Sequence, residues 1–244
     1  MSRRMKVTSM SSEPSRVNGT LRPAKASKLR VALFGSFYRG FFVLNELLEG
    51  PLKDCIDVVG VATDDPAAPY VSAHKRVWQY GYSQDEAVLV PRFALSRGIP
   101  VYAGRVKHDH FYSIYESSWS PDICVMATFG QRIDSRLHRY PRLGFYNLHP
   151  SDLADWPSKY AGPDPFTEMI RDRCDHCVIT LHAVDDGFDT GARVAVSDRI
   201  AVPAGVVSKD MHKISAPFAA ILVRRFLEGV IVNEAQRIDS SLSG

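Results

Sequence analysis

Four short apolar runs in the first half of the chain, separated by stretches of helical periodicity, constrain the fold more than any other feature. Leu29 to Phe34 is the first; it ends at Gly35-Ser36 and leads into a helix-like stretch with apolar residues at Phe41, Leu44, Leu47 and Leu48, which closes at Gly50-Pro51. Residues 57–63 (DVVGVAT), 99–103 and 122–129 (DICVMATF) are the others, and a helix-like run through Ala94 and Leu95 stops at Gly98 just before the third. Short runs without polar alternation suit strands buried on both faces. Strands alternating with helices connect by right-handed crossovers and make a parallel sheet covered on both sides. This pattern predicts an α/β fold with a Rossmann-like, mostly parallel sheet.

Past residue 143 the pattern changes. Residues 144–148 (GFYNL) read as a strand, 165–173 as a helix, and 178–185 and 192–202 as two strands around a turn. A final amphipathic helix is expected from about Val207 to Glu228, with Met211, Ile214, Phe218, Ile221, Leu222 and Phe226 on its apolar side. The sheet is thus expected to be extended by a C-terminal β-rich segment and a last helix. The domain reading is a flexible basic tail over 1–28, a single catalytic domain over 29–230, and a C-terminal tail over 231–244.

Charge refines this picture. Of the net +3, residues 1–28 carry +6 (seven basic residues against Glu13), leaving −3 on the remainder. A mildly acidic body argues against a large nucleic-acid footprint, which would show as a basic face on the folded domain. The first 28 residues hold few large apolar side chains to offset ordering entropy, so a disordered leader is expected there rather than a transit peptide. No apolar run approaches the roughly 20 residues of a membrane span, and no secretion signal is evident, so the expected setting is cytoplasmic. Cys55, Cys124, Cys174 and Cys177 are read as reduced thiols. Cys174 and Cys177 have CxxC spacing without a second ligand pair, so no metal site is expected.

In open parallel sheets ligands gather beyond the carboxyl ends of the strands, where Gly35-Ser36, Thr63-Asp64-Asp65 and Phe129-Gly130 fall. The absence of GxGxxG argues against a dinucleotide there. The segment Asn147-Leu148-His149-Pro150-Ser151 places two polar residues two apart after an apolar run. On a strand both point the same way while Leu148 faces oppositely. Together with Asp189-Thr190-Gly191 they supply an amide, an imidazole and a carboxylate, a set suited to moving an acyl group. Gly187 and Gly191 around Asp189 permit close backbone approach to a flat ligand.

The segments LGFYNLHPSDL and VDDGFDTGARV resemble the two signature segments of the folate-dependent formyltransferases. That group includes glycinamide ribonucleotide transformylase, methionyl-tRNA formyltransferase and the nucleotide-sugar N-formyltransferases. The likeness extends over about residues 29–205 and takes in FGSFYRGFFVLNELLE. It implies transfer of a formyl group from 10-formyltetrahydrofolate to a primary amine of a small molecule, a nucleotide-linked amino sugar in first place. Formylation of a hydroxylamine or amino-acid-derived amine, hydrolysis of the folate, and a non-catalytic folate-binding role are the alternatives.

The resemblance implies that Asn147, His149 and Asp189 are catalytic. Formyl transfer to an amine develops an oxyanion and requires proton exchange, for which an Asn N–H and a His are suited. Asp189 would raise the imidazole pKa, orient it or hold a water. By the same resemblance, Phe129, Gly130, Gln131, Arg132 and Ile133 would line one side of the folate pocket, and Asp185, Asp186 and Gly187 the other. Gly35, Ser36, Tyr38, Arg39, Lys75, Trp78, Asp152 and Trp156 are the candidates for the acceptor side. The chain departs from the family's usual Ser-Leu-Leu-Pro run at residues 151–157 (SDLADWP), which leaves acceptor identity open. Residues 66–82 hold basic and aromatic side chains suited equally to holding a base and phosphates and to packing on the body or at a subunit contact. The short stretch after residue 205 and the acidic body together predict no nucleic-acid partner. No membrane partner is expected, and a homodimer is left open.

Overall fold

The computed structural model describes residues 28–65, 82–153, 156–162 and 164–242. Eight strands and seven α-helices alternate in the described chain: β1 (Leu29–Gly35), α1 (Phe37–Glu49), β2 (Ile56–Thr63), α2 (Gln84–Ala87), α3 (Leu89–Ser96), β3 (Val101–Ala103), α4 (Asp109–Ser113), β4 (Ile123–Ala127), α5 (Ser135–His138), β5 (Phe145–Ser151), α6 (Pro165–Arg171), β6 (His176–Ala183), β7 (Arg193–Val196), β8 (Ile200–Ala201) and α7 (Ser208–Leu242). A wider helical turn over Ile114–Trp119 continues α4. The sheet order is β3-β2-β1-β4-β5-β6-β7, with β8 pairing the start of β6. Pairing is parallel from β3 across to β5. It turns antiparallel at β5–β6 and β6–β7, giving the mostly parallel Rossmann-like sheet with its β-rich extension.

Both faces of the central strands are apolar because both are covered. Leu29, Val31 and Leu33 of β1 join a core with Val43, Leu44 and Leu47 of α1, Val90 and Ala94 of α3, and the α7 seam. Ala32 and Phe34 face the opposite layer, where the Phe34 ring meets Phe111, Tyr115 and Phe129 edge-on at 5.9, 6.0 and 5.5 Å. Gly40 lets α1 settle on the end of β1: a Cβ there would lie 2.9 Å from the Gly35 carbonyl carbon.

Three elements differ from the sequence reading. The run 122–129 ends as a strand at Ala127, and Thr128 turns out of it with φ +62°, an uncommon conformation for a β-branched residue. The run 192–202 breaks into β7 and β8, and the Ser197 hydroxyl between them accepts the Ile179 N–H at 2.9 Å. The last helix continues past Glu228 to Leu242, so the stretch placed in a C-terminal tail is helical as far as that residue. Its buried seam is Met211, Ser215, Ala216, Ala219, Ala220, Leu222, Val223 and Leu227, whereas Ile214 is 38% exposed. Small residues share the seam with Met211, Leu222 and Leu227 and let α7 approach the body closely, while Phe218 and Phe226 pack at its margin. No helix among the described residues is long and apolar enough to cross a membrane.

Candidate active site

The position of β5 creates the site. Its register with β4 ends at the Met126–Asn147 pair, so the carboxyl half of β5 runs on beyond the point where β4 stops. Asn147 and His149 project from that overhang on one side, buried to 8% and 5% exposure, while Leu148 enters the opposite core. Asp189 arrives from the loop after β6 with φ +50°, a left-handed conformation that Asp tolerates better than most residues. Gly191 makes that turn feasible, since a Cβ there would sit 1.9 Å from the Ala183 carbonyl oxygen.

The structure brings the three residues together. Asn147 Nδ2 donates to Asp189 Oδ1 at 3.1 Å, and His149 Nδ1 lies 3.5 Å from Asp189 Oδ2. The sequence reading missed a fourth member, His182, which pairs directly with Asn147 across the β5–β6 ladder. Its Nδ1–H donates to the Ala183 carbonyl at 2.8 Å, and its Nε2 lies 3.1 Å from Asn147 Nδ2 and 3.3 Å from Asp189 Oδ1. A polar residue inside the apolar run 178–184 was the available signal, but its register against Asn147 is a tertiary fact.

The hydrogen bonds assign proton positions. His149 Nε2–H donates to the Tyr160 carbonyl at 3.0 Å, so the lone pair of the neutral ring is on Nδ1, facing Asp189. Burial pushes the His149 pKa below the ordinary imidazole value, against the opposing pull of Asp189. Burial alone would raise the Asp189 carboxyl, yet His182, His149 and the Asn147 amide together hold it below the usual carboxylate range. The resting pair is therefore a neutral imidazole beside a carboxylate, an arrangement that accepts a proton and stabilises the resulting imidazolium.

A cleft of about 540 Å³ opens over this cluster. Phe129, Gly130, Gln131, Arg132 and Ile133 line one wall, and Asp185, Gly187, Phe188 and Asp189 line the other. Asp185 folds its own loop by accepting the Gly187 N–H at 3.0 Å and the Thr190 hydroxyl at 2.8 Å. Arg132 sits over the exposed Phe188 ring at 4.8 Å, bridging the two walls at the rim. Asp186 is not a wall residue. Its carboxylate turns outward to His138 at 3.1 Å and Arg139 at 2.8 Å, which hold its pKa low.

The residues assigned to the acceptor side are less well gathered. Arg39 lines the cleft, buried, with Nη1 donating to Thr128 Oγ1 at 3.2 Å and Nη2 to Ser215 Oγ at 3.5 Å. His212 lies beside it, and burial, helped by the Arg39 charge, pushes its pKa down to about 3. Gly35 and Ser36 do not line the cleft: Gly35 seats α1, and the Ser36 hydroxyl is spent on Thr63 Oγ1 at 3.2 Å and the Asp64 N–H at 3.1 Å. Tyr38 points away and donates to Glu86 at 2.7 Å. Trp156 lies behind this polar cluster, its ring 4.8 Å from His182 and its Nε1–H on the Gly191 carbonyl at 2.8 Å. Asp152 lies outside the cleft lining, and its Oδ1 is buried without a hydrogen-bond partner among the described residues. Lys75 and Trp78 lie outside the described residues. In the CxxC stretch, Cys177 is buried with its thiol pushed up to about 12, and Cys174 Sγ is 3.1 Å from the Tyr160 hydroxyl.

Comparison with known proteins gives a consistent answer. The formyl transferase family model matches residues 53–223. Methionyl-tRNA formyltransferase of Methylacidiphilum infernorum is 30% identical over 118 residues, 48% of this chain and 35% of that protein. The enzyme of the same name from Nitrobacter winogradskyi is 26% identical over 155 residues, 64% of this chain and 48% of its own. The chain thus spans half or less of the length of these curated relatives. Among solved structures, phosphoribosylglycinamide formyltransferase from Anaplasma phagocytophilum superposes with a TM-score of 0.64 at 16% identity, covering 85% of this chain and 89% of that one. A formyltetrahydrofolate deformylase from Pseudomonas syringae pv. tomato gives 0.62 at 18% identity, with 85% and 63% covered. At these identities the structures report a shared fold.

Proposed function

This chain belongs to the formyl transferase family, and from that premise we propose that it moves a formyl group from 10-formyltetrahydrofolate to a primary amine of a small molecule. The observation that carries the reading is the convergence of Asn147, His149 and Asp189 in the lining of one cleft. The residues fit a reduced folate: the loops at 129–133 and at Asp185 and Gly187 can match the donor and acceptor edge of a pterin, and Met126, Phe129 and Val184 offer apolar contact. When bound, the folate supplies an activated formyl group.

The chain's own groups supply the proton chemistry. His149 Nδ1 takes a proton from an attacking amine, and Asp189 stabilises the imidazolium so formed. The Tyr160 carbonyl fixes the ring through Nε2–H. Both Asn147 N–H groups are engaged at rest, one by Asp189 and one by His182, so this amide holds the carboxylate and the second ring in register. A developing oxyanion that displaces one of them gains a donor of a kind worth about 2.7–4 kcal/mol.

For the acceptor we assign a nucleotide-linked amino sugar, on the basic and aromatic character of residues 66–82 and the mildly acidic remainder of the chain. The test is incubation with 10-formyltetrahydrofolate and a panel containing such a sugar, glycinamide ribonucleotide, methionyl-tRNA, hydroxylamine and no amine. Tetrahydrofolate release and the formylated product, identified by mass, are followed together. Transfer to the amino sugar that disappears in His149→Ala is the expected result. Transfer to another amine alone reassigns the acceptor, formate release without any amine points to hydrolysis, and undiminished turnover in His149→Ala refutes the catalytic assignment.

A further inference from the structure

Asp64 lies at the carboxyl end of β2 and is only 4% exposed, a costly place for a carboxylate. It lies outside the cleft lining and takes no part in the hydrogen bonds of the Asn147–His149–Asp189 cluster, yet its polar contacts among the described residues go to loops that leave the sheet on this edge. Its Oδ2 accepts the Gly130 N–H at 2.6 Å, and its Oδ1 faces the Gln131 amide nitrogen at 3.4 Å. Its own N–H donates to Ser36 Oγ beyond β1 at 3.1 Å. Gln131 extends the connection: Nε2 donates to the Gly104 carbonyl at 2.9 Å and Oε1 accepts the Val106 N–H at 3.0 Å, both beyond β3. The ends of β1, β2, β3 and β4 are thereby joined through Asp64 and the Gln131 side chain.

Resting on the reading of residues 129–133 as the folate wall, we propose that Asp64 is a positioning residue: its charged carboxylate pins Gly130 and Gln131, and protonating it loosens that wall and weakens reduced-folate binding. An N–H donating to a charged oxygen makes a stronger bond than one donating to a neutral acid. The groups facing Asp64 are the Ser36 hydroxyl from the end of β1, the Gly130 N–H and the Gln131 amide from beyond β4. Among the described residues no cationic side chain pairs with it. Burial outweighs the hydrogen bonds from Gly130, Gln131 and Ser36, which favour the charged form, and lifts the pKa from 3.8 to about 6.

Three chains are compared: wild type, Asp64→Asn, which retains an oxygen acceptor without titrating, and Asp64→Ala, which removes it. Tetrahydrofolate binding is measured by calorimetry at about pH 5 and about pH 8, on either side of the expected titration. In wild type the Kd is expected to weaken several-fold at the lower pH, while in Asp64→Asn it is the same at both. In Asp64→Ala the KM for the folate rises about tenfold and kcat at saturating folate stays within about twofold. Hydrogen exchange of the Gly130 backbone amide, protected in wild type and faster in Asp64→Ala, tests the pinning without any ligand. If that amide exchanges alike in both chains, or if Asp64→Asn keeps the wild-type pH dependence, the proposal is overturned. If wild type binds no tetrahydrofolate at all, the functional reading fails, and the exchange data still decide whether Asp64 pins the loop.

Discussion

Replacing Asp64 by Asn should change how the protein's stability depends on pH, by an amount the structure allows to be worked out. The Asp64 carboxyl is lifted from its ordinary 3.8 to about 6 in the fold, because burial penalises its charge more than Gly130, Gln131 and Ser36 repay it. A carboxyl whose folded pKa is raised binds its proton more tightly in the native state than in the unfolded chain. Its contribution to stability is therefore fully present below the unfolded pKa and falls as pH rises through the folded one. The loss is about 3 kcal/mol in total, of which about 2 kcal/mol falls between about pH 4.5 and about pH 7.5. Asn does not titrate, so the stability of Asp64→Asn relative to wild type should climb by about 2 kcal/mol over that interval. A constant offset from the weaker hydrogen bond to Gly130 does not alter the slope. Urea unfolding of both proteins at stepped pH measures the difference directly. A flat difference would refute the claim that Asp64 is buried as a reluctant carboxylate, and a falling one would reverse its sign.

Asp189→Asn should lower the His149 titration further, because the Asp189 charge is what offsets burial of that ring; imidazole chemical shifts followed by NMR against pH check it, alongside a fall in turnover of about 10²–10⁴-fold. Gly191→Ala drives a methyl group to 1.9 Å from the Ala183 carbonyl oxygen, so thermal unfolding should show a loss of about 1–3 kcal/mol or more. Trp156→Phe keeps a ring beside His182 but deletes the donor to the Gly191 carbonyl. A cost of about 1 kcal/mol in denaturant unfolding is expected, with a larger relative effect on kcat than on the folate KM because the Asp189 loop loses its tether.

Much of this site was legible in the chain because the signals are local. Asn147 and His149 share a face by strand geometry alone, and the Asp189 turn declares itself through its flanking glycines. His182 escaped because a single polar residue in an apolar run has no meaning until the β5–β6 register sets it against Asn147. Asp186 was misplaced for a related reason: it neighbours Asp185, but the loop turns its carboxylate outward to His138 and Arg139. Most of the inner face of α7 was legible too, with Met211 and Leu222 buried and Phe218 and Phe226 packed on the core, while Ile214 lies off it.

The amino-acid sequence by itself determined the alternation of buried strands and helices, and hence the parallel sheet, since both follow from short-range apolar periodicity. It also placed the amide, imidazole and carboxylate at spacings that bring them to one edge. Only the tertiary structure decided the protonation of that cluster and the identity of its supports. Burial, the register of β6 against β5, and the reach of Asp64 across four strand ends are long-range, and each arises only after distant segments pack. The candidate site residues are local in the chain, whereas the electrostatics around them belong to the assembled fold.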